Sequence, residues 1–248
     1  MKAVILAAGV GRRLQSFTPK CLLPIGETIL LVRYLEALEH VGISEVTIVV
    51  GYKQELIREA VASWSGSIPV HFLVNEKYER GSIVSLWVAR QALLDNDTVI
   101  MDADVLFHPS ILERLVFSSY NNVLLMDETV VHDTEECMVV VLQGRVIALT
   151  KQMPETYDEA GEGVGFLRVS RHDATNLVKS VEVWISQGLL DMEYEDALRD
   201  FFQATLVGVE KIGGLPWIEI DFPEDVARAQ NDVLPKLPER DRDLSRNG

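Results

Sequence analysis

The feature that most constrains the fold is a strict alternation of short apolar runs and helical patterns over about the first 105 residues. The apolar or β-branched runs predict strands at Ala3–Ala8, Glu45–Val50, Val70–Val74 and Thr98–Met101. Apolar residues at helical spacing predict helices between them, at Ile29–Val41, Lys53–Trp64 and Ser82–Leu94. Strands and helices in this order form right-handed crossovers, so the pattern predicts an α/β protein with a parallel sheet.

The second half of the chain is less regular and mixes strands with helices. Strands are predicted at Val123–Met126, Met138–Leu142, Val146–Leu149, Gly163–Val169, Leu206–Val209 and Trp217–Ile220. Helices are predicted at Asn176–Ser186, Tyr194–Phe202 and Pro223–Val233. We expect one domain over residues 1–234 and a disordered tail over residues 235–248, because that last segment is charged and almost without apolar residues.

Composition excludes several classes of function. The 248 residues include 38 acidic and 23 basic ones, for a net charge of −15, whereas nucleic acids and anionic membranes attract a basic face. The apolar run Ala3–Ala8 is short for a signal peptide, and no stretch approaches the roughly 20 apolar residues of a membrane span. Cys21 and Cys137 lack metal-type spacing and are expected to be free thiols. We therefore expect a soluble, cytoplasmic protein without nucleic-acid or membrane partners.

A glycine turn with nearby cations follows the first predicted strand. Gly9 and Gly11 allow a tight turn whose N–H groups approach a ligand, and Arg13 and Lys20 come next. Leu14 stands where a dinucleotide fingerprint has its third glycine, and the phosphate-binding pattern G-x-x-x-x-G-K-[ST] is missing. The remaining interpretation is a polyphosphate site with two cations, against the alternative of a surface loop with solvated charges.

Carboxylates follow two other predicted strands. Asp102 and Asp104 end the strand Thr98–Met101, and hard oxygen ligands of this kind suit Mg²⁺. Asp221 lies at a strand-to-helix junction, where it is either a second metal ligand or only a helix cap. Glu219 stands two residues before it, so it can lie near the same place.

Segments 6–14 (LAAGVGRRL) and 18–26 (TPKCLLPIG) resemble the N-terminal signature of nucleotidyltransferases that make nucleotide-activated sugars and alcohols. The resemblance implies a single Rossmann-like domain, with a mixed, mostly parallel central sheet flanked by helices. It also implies Mg²⁺-dependent transfer of a nucleotidyl group with release of pyrophosphate. By the same resemblance, Arg13 and Lys20 are catalytic and Asp104 and Asp221 bind the metal. The residues implied to bind nucleotide are Leu6, Ala7, Ala8, Gly9, Gly11, Asn75 and Ser82.

Segment 75–90 (NEKYERGSIVSLWVAR) resembles the branch that activates phosphocholine, aminoethylphosphonate or inositol phosphate with CTP. Candidate acceptor-binding residues are Lys151 and Arg168 for a phosphate and Tyr194 and Glu195 for a cationic head group, with the tyrosine supplying a π face. Phosphocholine-specific members tend to carry a tryptophan on the strand that reads GVGFLRV here, and its absence argues against choline.

Three alternatives stay open on the sequence. The first is a sugar-1-phosphate nucleotidyltransferase that uses UTP, GTP or dTTP. The second is a glycosyltransferase with an Asp-x-Asp metal site, which the Arg13 and Lys20 cations argue against. The third is a non-catalytic nucleotide-binding regulator, which the retained aspartates disfavour. The oligomeric state, including a homodimer, and the identity of the acceptor also stay open.

Overall fold

A computed structural model describes residues 1–14, 17–130 and 137–238. The strands are β1 (Lys2–Ala7), β2 (Pro24–Ile25), β3 (Thr28–Ile29), β4 (Val46–Val50), β5 (Val70–Val74), β6 (Thr98–Asp102), β7 (Val105–Phe107), β8 (Val123–Asp127), β9 (Met138–Leu142), β10 (Arg145–Thr150), β11 (Glu159–Val169), β12 (Gly208–Lys211) and β13 (Trp217–Glu219). The α-helices are α1 (Leu30–His40), α2 (Gln54–Ala62), α3 (Ser82–Leu94), α4 (Pro109–Phe117), α5 (Ala174–Ser186), α6 (Tyr194–Ala204) and α7 (Pro223–Arg228).

Nine strands form the central sheet, in which β10-β9-β11-β6-β1-β4-β5 is the main order and β8 joins β11 to β12. The pairs β1–β4, β4–β5, β1–β6 and β8–β12 are parallel, and β11 is antiparallel to β6, β8 and β9. Since β10 is also antiparallel to β9, seven of the nine strands point one way and β10 and β11 point the other. The sheet is therefore mixed and mostly parallel, as the sequence predicted.

Helices cover both faces of this sheet. Alternate residues of β1 point to opposite faces, with Ile5 in one core and Val4 in the other. The Ile5 core is filled by α1, α2 and α4, and the Val4 core by α3, α5 and α6. This three-layer arrangement explains why the first strands are almost wholly apolar, since both of their faces are buried.

Two pairings bring distant segments to one edge of the sheet. Leu6 of β1 is in register with Asp102 at the carboxyl end of β6, so the glycine turn and the first carboxylates are neighbours. Val105 of β7 pairs with Glu219 of β13, and the amide of Ile220 donates to the carbonyl of Asp104 at 2.9 Å. The two carboxylate segments therefore meet beside β1, although more than a hundred residues separate them.

The structure differs from the predicted elements in detail. The strand β7 was not predicted, and β11 begins four residues before the predicted start at Gly163. The segment predicted as a tail begins with described residues, of which Leu237 is buried against the core, while residues 239–248 lie outside the described part. The domain boundary stays a prediction. In the described ranges, no helix combines the length and apolarity that crossing a membrane requires.

Candidate active site

Lys20 occupies the centre of a cluster of opposite charges at the carboxyl end of the sheet. Its ammonium nitrogen lies 2.8 Å from Oδ2 of Asp104 and 2.5 Å from Oδ1 of Asp221. All three side chains are largely withdrawn from solvent, with 15–19% of each exposed. Burial lowers the pKa of the Lys20 ammonium, but the two carboxylates outweigh it and the net pKa is raised. Lys20 is thus held charged between the two aspartates.

The glycine turn makes room for this lysine. Gly11 has a φ of +64°, and a Cβ at this position would lie 3.1 Å from Cγ of Lys20. A residue with a side chain would therefore meet both backbone strain and the lysine stem. The turn after β1 and the segment around Lys20 pack directly on one another for this reason.

Arg13 completes the cation pair from the other side. Its Nη2 lies 2.8 Å from Oδ2 of Asp221, and its guanidinium stands 5.5 Å from the centre of the Phe222 ring. The helix that follows begins after Phe222, and the Asp225 carboxylate accepts from the amides of Asp221 and Phe222. The Asp221 carboxylate itself faces the two cations, so its geometry does not match the alternative role of a simple helix cap.

Asp104, Glu219 and Asp221 offer three carboxylate oxygens within 4.8 Å of one another. Glu219 and Asp221 are two residues apart at a strand end and share a side, which is the period-two signal already visible in the sequence. Desolvation, followed by the charges of Asp104 and Asp221, raises the pKa of Glu219 to about 8. Oδ1 of Asp104 is buried and has no hydrogen-bond partner among the residues that the structure describes. The sequence predicted two of these carboxylates as ligands and expected Glu219 near the same place, and the structure puts all three in one cluster.

A second acidic group lies beside the first, around Asp102. The hydroxyl of Tyr194 donates to Oδ2 of Asp102 at 2.9 Å, and burial followed by the charges of Glu195 and Asp104 raises the pKa of Asp102. Oε2 of Glu195 is buried without a hydrogen-bond partner, and burial is the first cause that raises its pKa to about 8. Both values are raised by burial first and by the charges of neighbouring carboxylates second.

Five of the predicted nucleotide-binding residues lie at the carboxyl end of β1 or soon after it. Leu6, Ala7 and Ala8 lead out of β1, and the carbonyl of Ala8 accepts from the amide of Tyr52 at 3.0 Å. Gly9 is exposed at the mouth of the turn, and a Cβ there would meet nothing within 4 Å.

The other two predicted nucleotide-binding residues are engaged with the protein itself. Asn75 is buried after β5, donates to Ser85 and accepts from the amide of Lys77. Ser82 begins α3, and its hydroxyl accepts from the amide of Tyr194 at 2.8 Å.

The predicted acceptor-binding residues divide into two groups. Burial raises the pKa of the Cys137 thiol, and the charges of Glu195, Lys151 and Glu219 act on the same thiol to a smaller extent. The ring of Tyr194 is buried in the core, and only its hydroxyl faces Asp102. The burial of the ring argues against the predicted contact through its π face.

The placement of Arg168 argues against its predicted acceptor role. Arg168 is in register with Val99, three residues before the carboxyl end of β6. It is buried, and its guanidinium donates to the carbonyls of Val116 at 2.7 Å and Ser118 at 3.1 Å. Because β11 runs antiparallel to β6, residues further along β11 move away from the site. Arg168 fastens the loop after α4 to the sheet.

Taken together, the cations and carboxylates lie beside the carboxyl ends of the parallel strands β1 and β6, where α/β proteins of the nucleotide-binding class place their ligands. The chain belongs to the MobA-like NTP transferase domain family, whose pattern matches residues 3–172. This makes the protein a nucleotidyltransferase by family.

Known proteins resemble the chain over different spans. The CMP-5'-(3-aminopropyl)phosphonate synthase of Streptomyces rubellomurinus is 37% identical over 119 residues, which are 46% of this chain and only 19% of that longer protein. The CTP:phosphoglutamine cytidylyltransferase of Campylobacter jejuni is 25% identical over 255 residues, covering 91% of this chain and 98% of the relative. Among solved structures, CTP:phosphocholine cytidylyltransferase from Streptococcus pneumoniae aligns with a TM-score of 0.71 at 23% identity, covering 92% of this chain and 97% of the other.

Proposed function

We propose that the protein transfers a cytidylyl group from CTP to a small phosphate- or phosphonate-bearing acceptor and releases pyrophosphate. The observation that carries this proposal is the convergence of Arg13 and Lys20 on Asp104 and Asp221 from separate parts of the chain. The two relatives that use or attach cytidine nucleotides support the choice of CTP. The first of them aligns over a small part of its length, so its own activity supports the proposal less than that of the second.

The acidic cluster fits a divalent cation. Three carboxylate oxygens within 4.8 Å, one neighbouring oxygen of Asp104 without a partner, and an all-oxygen donor set suit Mg²⁺. We propose Asp104 and Asp221 as the ligands, with Glu219 at the same site. A bound Mg²⁺ would neutralise charge on the phosphates and on the departing pyrophosphate.

The cations of this chain would act on the nucleotide. In the reaction, an oxygen of the acceptor bonds to the α-phosphorus, the bond from that phosphorus to the oxygen bridging to the β-phosphate breaks, and pyrophosphate leaves. Arg13 would stabilise the charge that builds on the leaving group. Lys20 would position the α-phosphate after its own ammonium has left the aspartates. The acceptor oxygen is already ionised at neutral pH, so no side-chain base is required.

The remaining nucleotide contacts are proposed from strand position. Gly9 and Gly11 would bring backbone N–H groups to the phosphates, next to Leu6, Ala7 and Ala8. Asn75 and Ser82 stand at the ends of neighbouring elements, where the base and ribose would lie.

The carboxylates around Asp102 favour an acceptor that carries a cation. Burial is the first cause that raises the pKa of Glu195 to about 8, and its charge acts on Asp102, while the Lys151 ammonium would meet the acceptor phosphate or phosphonate. An amine at the other end of the acceptor would compensate these carboxylates. Aminoalkylphosphonates satisfy both requirements, whereas inositol phosphate supplies no cation.

The proposal is tested by pyrophosphate release from the full chain with Mg²⁺ and CTP, against aminoethylphosphonate, phosphocholine, inositol 1-phosphate and sugar 1-phosphates. We expect the highest turnover with an amine-bearing acceptor, and losses of at least about a hundredfold in Asp104→Asn. UTP, GTP and dTTP serve as the nucleotide controls. Preference for one of these nucleotides, or equal release by Asp104→Asn, would contradict the proposal.

A further inference from the structure

Tyr34 connects helix α1 to the turn that carries Asp104. Its hydroxyl donates to the carbonyl of Asp102 at 2.8 Å and accepts from the amide of Val105 at 2.9 Å. These two backbone groups belong to the first and fourth residues of the turn between β6 and β7. In many four-residue turns the carbonyl of the first residue accepts directly from the amide of the fourth. Here the hydroxyl of Tyr34, which is 68 residues away from Asp102 in the sequence, lies between the two groups.

The tyrosine is held rigidly for this task. Its side chain is 1% exposed, and its ring makes edge contacts with Phe107 and Phe166 at centroid distances of 5.2 and 6.0 Å. Phe107 belongs to β7, which follows the turn, and Phe166 to β11, which pairs with β6, so the ring packs against two strands next to the turn. A hydroxyl on a locked ring leaves the turn little freedom.

We propose that Tyr34 is a positioning residue for the metal-binding carboxylate of Asp104. The bridge joins the residues on both sides of Asp104 and Ala103, so it determines how far the turn opens and where the carboxylate points. Lys20 holds Oδ2 of Asp104 at 2.8 Å, whereas the buried Oδ1 meets no hydrogen-bond partner among the described residues, so beyond the lysine the carboxylate is oriented by the backbone that carries it. The proposal rests on the metal site of the proposed function. It adds to that site the buried hydroxyl of Tyr34, which supports a ligand without being one.

The test is binding of Tb³⁺, a luminescent substitute for a hard divalent cation, to the full chain without nucleotide. Tyr34→Phe removes the hydroxyl and keeps the ring. We expect it to weaken Tb³⁺ binding roughly tenfold, the low end of what partners of metal ligands contribute. Ile111→Val serves as the control, because Ile111 is buried in the same core and its truncation lowers stability without touching the turn. Melting temperatures measured on both variants separate stability from affinity.

Three outcomes are distinguishable. Weaker Tb³⁺ binding in Tyr34→Phe, with unchanged binding in an Ile111→Val variant of similar melting temperature, supports the positioning role. Loss of binding in Asp104→Asn with wild-type binding in Tyr34→Phe overturns the role of Tyr34 alone. Failure of the wild-type chain to bind Tb³⁺, or unchanged binding in Asp104→Asn, overturns the metal site and the positioning role with it.

Discussion

The ammonium nitrogen of Lys20 lies 2.8 Å from Oδ2 of Asp104, so a cation of the chain itself stands among the carboxylates proposed to bind Mg²⁺. Its second contact, to Asp221, makes it a bridge between both proposed ligands. The same lysine is proposed to contact the α-phosphate. Movement of the Lys20 ammonium from the aspartates to the nucleotide would therefore couple metal binding to nucleotide binding.

This relationship predicts opposite effects of one substitution. Lys20→Met removes the competing charge, so Tb³⁺ or Mn²⁺ should bind the nucleotide-free protein more tightly than it binds the wild type. Turnover should fall by about 10²- to 10³-fold, because an electrostatic contact to the reacting phosphate is lost. Luminescence titration and pyrophosphate release measure the two effects. Lys2→Met, which loses only a contact with Glu45 at 3.0 Å, is the control and should change neither.

Glu195 predicts a pH dependence of stability. Its folded pKa is raised to about 8 from 4.5, so the folded protein binds more protons than the unfolded chain between these values, and its contribution to stability falls as pH rises through that window. Glu195→Gln removes the ionisation. We expect the melting temperature of the variant to exceed that of the wild type by about 2 to 4 °C at pH 8.5, and the difference to vanish near pH 5. An equal difference at both pH values would show that ionisation of Glu195 is not the cause.

We expect a side chain at position 165 to collide with the carboxylate of Asp102. Its φ is +78°, and a Cβ there would lie 2.7 Å from Oδ2 of Asp102, the atom that Tyr194 contacts. Gly144 has a similar φ of +73° with nothing within 4 Å of its Cβ position, so it is a matched control for backbone strain. Both alanine variants should lose about 1 kcal/mol from the left-handed backbone. Gly165→Ala should lose more in denaturant unfolding and also reduce turnover, and equal losses would refute the role of the contact.

We expect substitutions of Arg168 to change stability and substitutions of Lys151 to change acceptor binding. Arg168→Met leaves the carbonyls of Val116 and Ser118 without a donor and should lower the free energy of unfolding by about 2 to 3 kcal/mol. Its KM for the acceptor should stay unchanged. Lys151→Met should raise that KM several-fold and leave the melting temperature alone, because Lys151 is exposed. A raised acceptor KM in Arg168→Met would restore the role that its position argues against.

Much of the fold could be predicted because its signals are local. Continuous apolar runs and helical spacing are properties of neighbouring residues, and β1, β4, β5 and β6 were predicted to within a residue or two of their bounds. The short strand β7 was missed because its three residues carry no period of their own and are defined by pairing with β13. The early start of β11 has the same cause, since pairing with β9 extends it beyond its apolar part.

The sequence by itself placed Arg13 and Asp104 after the carboxyl ends of predicted parallel strands, and the family resemblance assigned Lys20 and Asp221 to the same site. Only the tertiary structure decided what each side chain meets there. The register between β11 and β6 places Arg168 away from this site. The packing of α6 buries the ring of Tyr194, and a hydrogen bond between α1 and β6 brings the hydroxyl of Tyr34 next to the turn that carries Asp104. Such contacts depend on the packing of elements far apart in the chain, and no local pattern records them.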